Sequence, residues 1–154
     1  MEIKSIYDLT TYESMVGRIN QLTSESQPQW GKMSVGQMLA HCAEVQDVSN
    51  GKPLKGTPWF INLIGGFVKK MVLNKDPYPK NIRTHPQYLT TEPEDFETQK
   101  ERLLLSLKAM IALGKISSRH PIFGEMTPDE KGWGMYKHLD HHLGQFGVRA
   151  ITCR

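Results

Sequence analysis

Tyr136-Lys137-His138-Leu139-Asp140-His141-His142-Leu143-Gly144-Gln145 carries half of the six histidines in the chain. His138 and His142 are four residues apart. On a helix, residues at that spacing stack one turn above the other, with Cβ atoms roughly 5–6 Å apart. Two imidazoles so placed can reach one metal ion. The helix itself is announced upstream by Thr127-Pro128-Asp129-Glu130. Threonine fits the N-cap, proline the first helical position, and glutamate the third, where its side chain can close a capping box. With His138 as the origin and about 100° added per residue, Met135, Leu139, Leu143 and Phe146 fall at roughly 60–140°, the core-facing arc. His138 and His142 lie on the shoulder of that arc, about 40° apart. On the far side of His138 come Gln145, about 20° away, and His141, about 60° away. His138 and His142 therefore face inward together, and His141 sits further out.

A second stretch, Ser34 to Asn50-Gly51, opens with another capping box, Ser34 with Gln37 three residues on. Val35, Met38, Leu39, Cys42 and Val45 point inward. His41 occupies the shoulder of that apolar arc, and Glu44 lies about 60° away from it on the polar side. Facing helices of a bundle build metal sites from such boundary positions. Burying several imidazoles without partners carries a desolvation cost. A three-histidine set of His41, His138 and His142 leaves coordination positions open for a water or a thiol. Single histidines are more often hydrogen-bonded structural residues; His85 and His120, each before a proline, are read as structural or exposed. Cys42 is read as a small core hydrophobe.

Two further helices complete the pattern. The first spans about Thr10 to Leu22, with Thr10 and Glu13 as its box and Leu9, Tyr12, Val16, Ile19 and Leu22 as its buried stripe. The third begins after Thr91, with Pro93 in its first turn and Glu94 as box partner. It buries Phe96, Leu103, Leu104, Leu107, Met110 and Ile111, and ends at Gly114. No alternating run suggests a sheet. The expected class is all-α: a four-helix bundle in one domain, residues 1–154, with a long Pro/Gly-containing connection between helices two and three. In that connection, Trp59 to Leu73 predicts one or two short helical turns broken at Gly65-Gly66. Residues 51–90 hold seven basic residues against one acid, Asp76. The segment is read as a solvated cover over the bundle, with a basic lip for an anionic substrate as the sharper alternative.

Bulk composition excludes several classes. In 154 residues, 38% are hydrophobic and 23% charged, which is neither disordered nor membranous. The formal charge of +3 is too mild, and recognition motifs are too absent, for nucleic-acid binding. Trp30, Trp59 and Trp133 are read as packing anchors. The acid-containing N-terminus predicts no signal peptide, and the apolar stretch from Trp59 to Leu73 is too short and too charged to span a bilayer. Cys42 and Cys153 form no disulfide framework, which suits a reducing compartment. The expected location is cytoplasmic, without membrane partners.

His138-x-x-His141-His142-x-Gly144-Gln145 resembles the final-helix pattern of the DinB-like superfamily of metal-dependent four-helix bundles. Trp30 followed by Ser34-Val35-Gly36-Gln37-Met38-Leu39-Ala40-His41 resembles its second-helix segment. His120-Pro121-x-Phe123-Gly124 and Lys137-His138-Leu139-Asp140-His141-His142 are similar to a bacterial subfamily of unassigned function. The resemblance implies a homodimer-prone bundle with His41, His138 and His142 holding a divalent metal. The metal expected is zinc or nickel first and iron or manganese next. It also implies a small-molecule substrate and, in some members, a low-molecular-weight thiol. The function expected is metal-assisted activation of a thiol or water against a small electrophile, thiol transfer first and hydrolysis second. Glu44 and His141 are the candidates for proton transfer or for supporting the ligands. The rival is a non-catalytic metal- or ligand-binding bundle for sensing or structure.

Overall fold

The computed structural model describes residues 1–82, 84–90 and 94–149. They are mostly helical. The order is α1 (Leu9–Asn20), α2 (Val35–Ser49), α3 (Ile61–Leu73), a 3₁₀ turn (Pro86–Tyr88), α4 (Phe96–Leu113), β1 (Ser118–His120), β2 (Gly124–Met126) and α5 (Pro128–Gln145).

Two helix starts follow their sequence signals. In α2 the Ser34 hydroxyl accepts from the Gln37 amide, and the Gln37 side chain accepts from the Ser34 amide. In α5 Thr127 and Glu130 make the same reciprocal pair behind Pro128. The other two differ. Helix α1 starts at Leu9, one residue before Thr10, with Asp8 at the N-cap and no side-chain cap bond. In α4 the Asp95 carboxylate accepts from the Thr98 amide at 2.8 Å, so Asp95 is the N-cap. The start at Thr91, with Pro93, falls outside the described residues. Gly114 ends α4 with φ +77°, a conformation glycine adopts without steric cost.

Two expectations are corrected. Ile61–Leu73 is one continuous helix, not two turns broken at Gly65-Gly66. A Cβ on Gly65 would stand 2.1 Å from the Ile122 carbonyl oxygen. The glycine therefore permits close approach of α3 to the β1–β2 turn, and packing outweighs its low helix propensity. Second, a small antiparallel hairpin pairs Ser118 with Met126 and His120 with Gly124. Its strands are too short to show an alternating pattern.

The core is shared by four of the helices. Met15 and Ile19 of α1, Met38, Leu39 and Ala43 of α2, Leu103, Leu107 and Met110 of α4, and Leu139 and Leu143 of α5 form one buried cluster. Ile111, expected inside, is exposed, and Gln46 of α2 is buried instead. Helix α3 lies outside this cluster against α5 and β2. Its C-terminus is held by a fully buried lysine: Lys137 Nζ donates to the Val72 and Asn74 carbonyls at 2.9 and 2.8 Å and to Asn74 Oδ1 at 3.0 Å. A cation at the carbonyl end of a helix is favourable. Trp133 Nε1 adds a bond to the Leu73 carbonyl. Between α1 and α5, buried Arg18 pairs with Asp140 at 2.7 Å, and it donates to the Val148 carbonyl. Among the described residues, no helix is long and apolar enough to cross a membrane.

His120 is nearly buried, and its Nδ1 accepts from the amides of Ile122 and Phe123, fastening the hairpin turn. Burial, helped by the Lys131 charge, pushes its pKa down to about 4. In the unfolded chain the value is about 6.5. As pH falls below that value, the unfolded chain takes up a proton that the folded turn refuses until about 4. Stability should fall over that window, by up to about 1.4 kcal/mol per pH unit, and be flat for this group above it. Urea unfolding at pH 7 and 5 should show the loss, and His120→Asn, which keeps an acceptor for the turn, should reduce it.

Candidate metal centre

The middle of α2 and the last turns of α5 bring His41, His138 and His142 together. One nitrogen of each lies within 4.8 Å of the others. Ring centroids are 5.0 Å apart for His41–His138 and 4.7 Å for the other two pairs. His41 and His142 are buried and His138 is half-buried. The three histidines could hold a metal ion.

The tautomers follow from the partners. His41 Nδ1 lies 2.9 Å from the Tyr88 carbonyl oxygen. A carbonyl only accepts, so Nδ1 carries the proton and Nε2 keeps its lone pair. His142 Nδ1 lies 2.9 Å from Gln145 Oε1. The Gln145 amide is itself oriented, because its Nε2 donates to the Trp30 carbonyl at 2.9 Å. The oxygen therefore faces His142, and His142 also carries its proton on Nδ1. His41 Nε2 and His138 Nε2 are 3.0 Å apart. With His41 Nε2 a lone pair, the hydrogen there belongs to His138 in the metal-free protein. To offer its Nε2 lone pair to a metal, His138 would have to carry its proton on the other ring nitrogen.

Electrostatics favour the neutral form of all three rings. Burial pushes the His142 pKa down to about 3, with the His41 charge adding to the effect. Burial first, then the charges on His142, His41 and His141, hold His138 well below the ordinary imidazole value. His41 is lowered by burial against the opposing pull of its Tyr88 bond. At neutral pH all three keep a lone pair without competition from protons.

The two other candidates have different surroundings. His141 is half-buried between aromatic rings, 4.7 Å from Trp30 and 5.5 Å from Tyr78, and 5.1 Å from the His142 ring. Burial lowers its pKa, against the pull of Asp140. Glu44 accepts from Lys52 at 2.6 Å, from Gln87 at 2.8 Å and from Arg102. Partial burial raises its pKa, but those three partners outweigh it and hold the carboxyl below its usual range. Arg102 also binds Asp47, whose other oxygen takes the Ser106 hydroxyl. Asp47, Lys52, Arg102 and Ser106 line a depression of about 610 Å³ between α2 and α4, and neither Glu44 nor any of the histidines is part of its lining.

Gln145, Tyr88 and Gln87 carry roles that pattern reading did not find. Gln145 stands three residues after His142 on one helical face, which is a usable signal. Tyr88 contributes a backbone carbonyl, which no side-chain pattern can reveal. Gln87 ties its segment together: its side chain donates to Glu44 and the Pro53 carbonyl and accepts from the Lys55 amide. Of the basic connection, Lys52 and Lys69 are paired, with Glu44 and Glu130, and Lys80 lies over the Trp30 ring. Arg83 lies outside the described residues.

Residues 2–149 match a family model described as a protein of unknown function, DUF1569. No curated protein and no solved structure matches the chain. With nearly its whole length covered by that match, the chain belongs to the DUF1569 family, whose function is uncharacterised.

Proposed function

We propose that His41, His138 and His142 hold a divalent metal ion in a DinB-like four-helix bundle made of α1, α2, α4 and α5. The bundle is one domain spanning residues 1–154 of a cytoplasmic enzyme. The observation that carries the reading is the pair of Nδ1 anchors, Tyr88 carbonyl to His41 and Gln145 amide to His142. Metal-ligating histidines characteristically give their second ring proton to such an acceptor, which fixes the tautomer and aims the other nitrogen. A core histidine pair without a metal has no need for two lone pairs aimed at one spot. An all-imidazole set suits zinc or nickel first, and iron or manganese next.

When bound, the ion supplies Lewis acidity that draws the proton from a thiol or a water at neutral pH. The protein's own residues do the rest. The Nδ1 anchors hold the rings. His141, neutral at pH 7 and beside His142, is placed to carry a proton between nucleophile and product. Trp30 and Tyr78 shield it from bulk water. Glu44 stays ionised and acts through Gln87, fixing the segment whose Tyr88 carbonyl aims His41. The reaction class is transfer of a low-molecular-weight thiol to a small electrophilic substrate, with hydrolysis second. A non-catalytic sensor or structural metal site is the rival.

Two measurements test this. Gln87→Ala should weaken metal binding by about 10-fold, the lower end for loss of a group supporting a ligand. Metal titration of the variant, with circular dichroism to confirm folding, checks it. For the whole reading, zinc- or nickel-loaded protein is assayed with thiols and electrophiles, then stripped by a chelator. Turnover should vanish and return with added metal while the helical signal persists, because the apolar cluster that joins the four helices is built from residues other than the histidines. Melting of the helices on chelation would favour a structural metal. Absence of metal uptake would sink the site.

A further inference from the structure

Helix α3 is docked on one side and bare on the other. Its inner side is fixed by Gly65 against the Ile122 carbonyl, by the Lys137 cap and by Lys69, which donates to the Glu125 carbonyl and pairs with Glu130. Its outer side, with the residues just before it, presents Trp59, Leu63 and Phe67 at 77%, 76% and 68% exposure, and Phe60, Ile64 and Met71 at about half. On a helical wheel these six fill one arc of roughly 140°, in which Lys70 is the single charge. Taking about 200 Å² for a whole large side chain, the arc exposes on the order of 700 Å² of apolar surface. That exceeds the patch of about 300–600 Å² that is largest on a typical monomer. It approaches the roughly 800 Å² that each partner gives to a stable interface.

We infer that this face of α3 is the interface between two copies of the chain, related by a twofold axis with the two α3 helices antiparallel. The arc is self-complementary in that arrangement. A twofold axis near residue 65 brings Leu63 against Phe67 of the partner subunit, and Phe67 against Leu63 of the partner subunit. Lys70 and Met71 then meet Trp59 of the partner subunit and Phe60 of the partner subunit. A cation over an aromatic face and a thioether at a ring edge are both favourable. The only charge in the arc thus finds a ring rather than a second lysine. Isologous contacts of this kind close on themselves and give a dimer rather than a filament. The inference gives a surface to the dimer that the family resemblance implies, and it stands apart from the metal reading.

The test is the mass of the full chain by sedimentation velocity and light scattering over a wide concentration range. The wild type should run at twice the chain mass. Leu63→Glu combined with Phe67→Glu should run at the chain mass, its dissociation constant raised at least about a hundredfold, as expected when two central apolar anchors are lost. Both side chains are exposed, so the variant's circular dichroism and thermal midpoint should match those of the wild type. Leu105→Glu, on an exposed position of α4, should stay dimeric. A wild type that is monomeric throughout overturns both the surface and the dimer. A dimer that survives Leu63→Glu with Phe67→Glu overturns the surface alone. A monomer that floats with phosphatidylglycerol vesicles through this face overturns the second copy in favour of a lipid surface.

Discussion

His142→Ala is expected to lower metal affinity by well over the ~10–100-fold that loss of a supporting hydrogen bond costs, whereas His141→Ala should stay within that smaller range. The difference comes from position. His142 is buried, its ring is 4.7 Å from both His41 and His138, and its Nδ1 is spoken for by Gln145. His141 touches the His142 ring edge but packs against Trp30 in a tilted contact and Tyr78 edge-on. Isothermal titration with zinc separates the two. Equal losses would mean that His141 is a ligand and that the inward pair is wrongly assigned. Turnover should show the converse for His141→Ala: bound metal, slowed proton transfer and a changed pH profile.

Lys137→Met should destabilise the fold by about 3 kcal/mol. The variant keeps most of the buried volume but leaves the Val72 and Asn74 carbonyls and Asn74 Oδ1 without their shared donor. Hydrogen bonds to a charged group contribute about 1.5–3 kcal/mol each, and bonds to one donor do not add in full. Chemical denaturation gives the number. Detachment of α3 before global unfolding would show as early exposure of Trp133, whose indole is bound to the Leu73 carbonyl. A cost below that of an ordinary surface change would show that solvent satisfies this helix end.

These two residues mark what local patterns reveal and what they hide. The wheel set His138 and His142 side by side on the inward shoulder because their helix has unambiguous start chemistry at Thr127-Pro128 and a strong apolar arc. The same reasoning singled out His41 on α2, and the three rings do stand together. Lys137 lies in the same quoted stretch, yet its side chain is buried under α3, an element that sequence reading broke in two. Gly65-Gly66 reads as a break by propensity; only the nearness of the Ile122 carbonyl explains why glycine is needed there. Thr10 and Glu13 satisfied the capping rule by composition, but the chain had already turned into helix at Leu9. The hairpin escaped because three-residue strands have no period. Within the site, imidazole positions were legible and their orientation was not. The Tyr88 carbonyl acts from 47 residues away, through a backbone atom that every residue shares.

The distances along the chain within the histidine cluster bear on how the protein folds. His41 meets His138 across 97 residues, and Gln145 reaches Trp30 across 115. Closing loops of that length precedes any reward from the contacts themselves, so such pairings form late. No short fragment contains all three histidines, so the complete cluster forms only once α2 has met α5. Added metal should leave the refolding rate unchanged and slow unfolding instead, acting as a latch on a chain that has already found its shape.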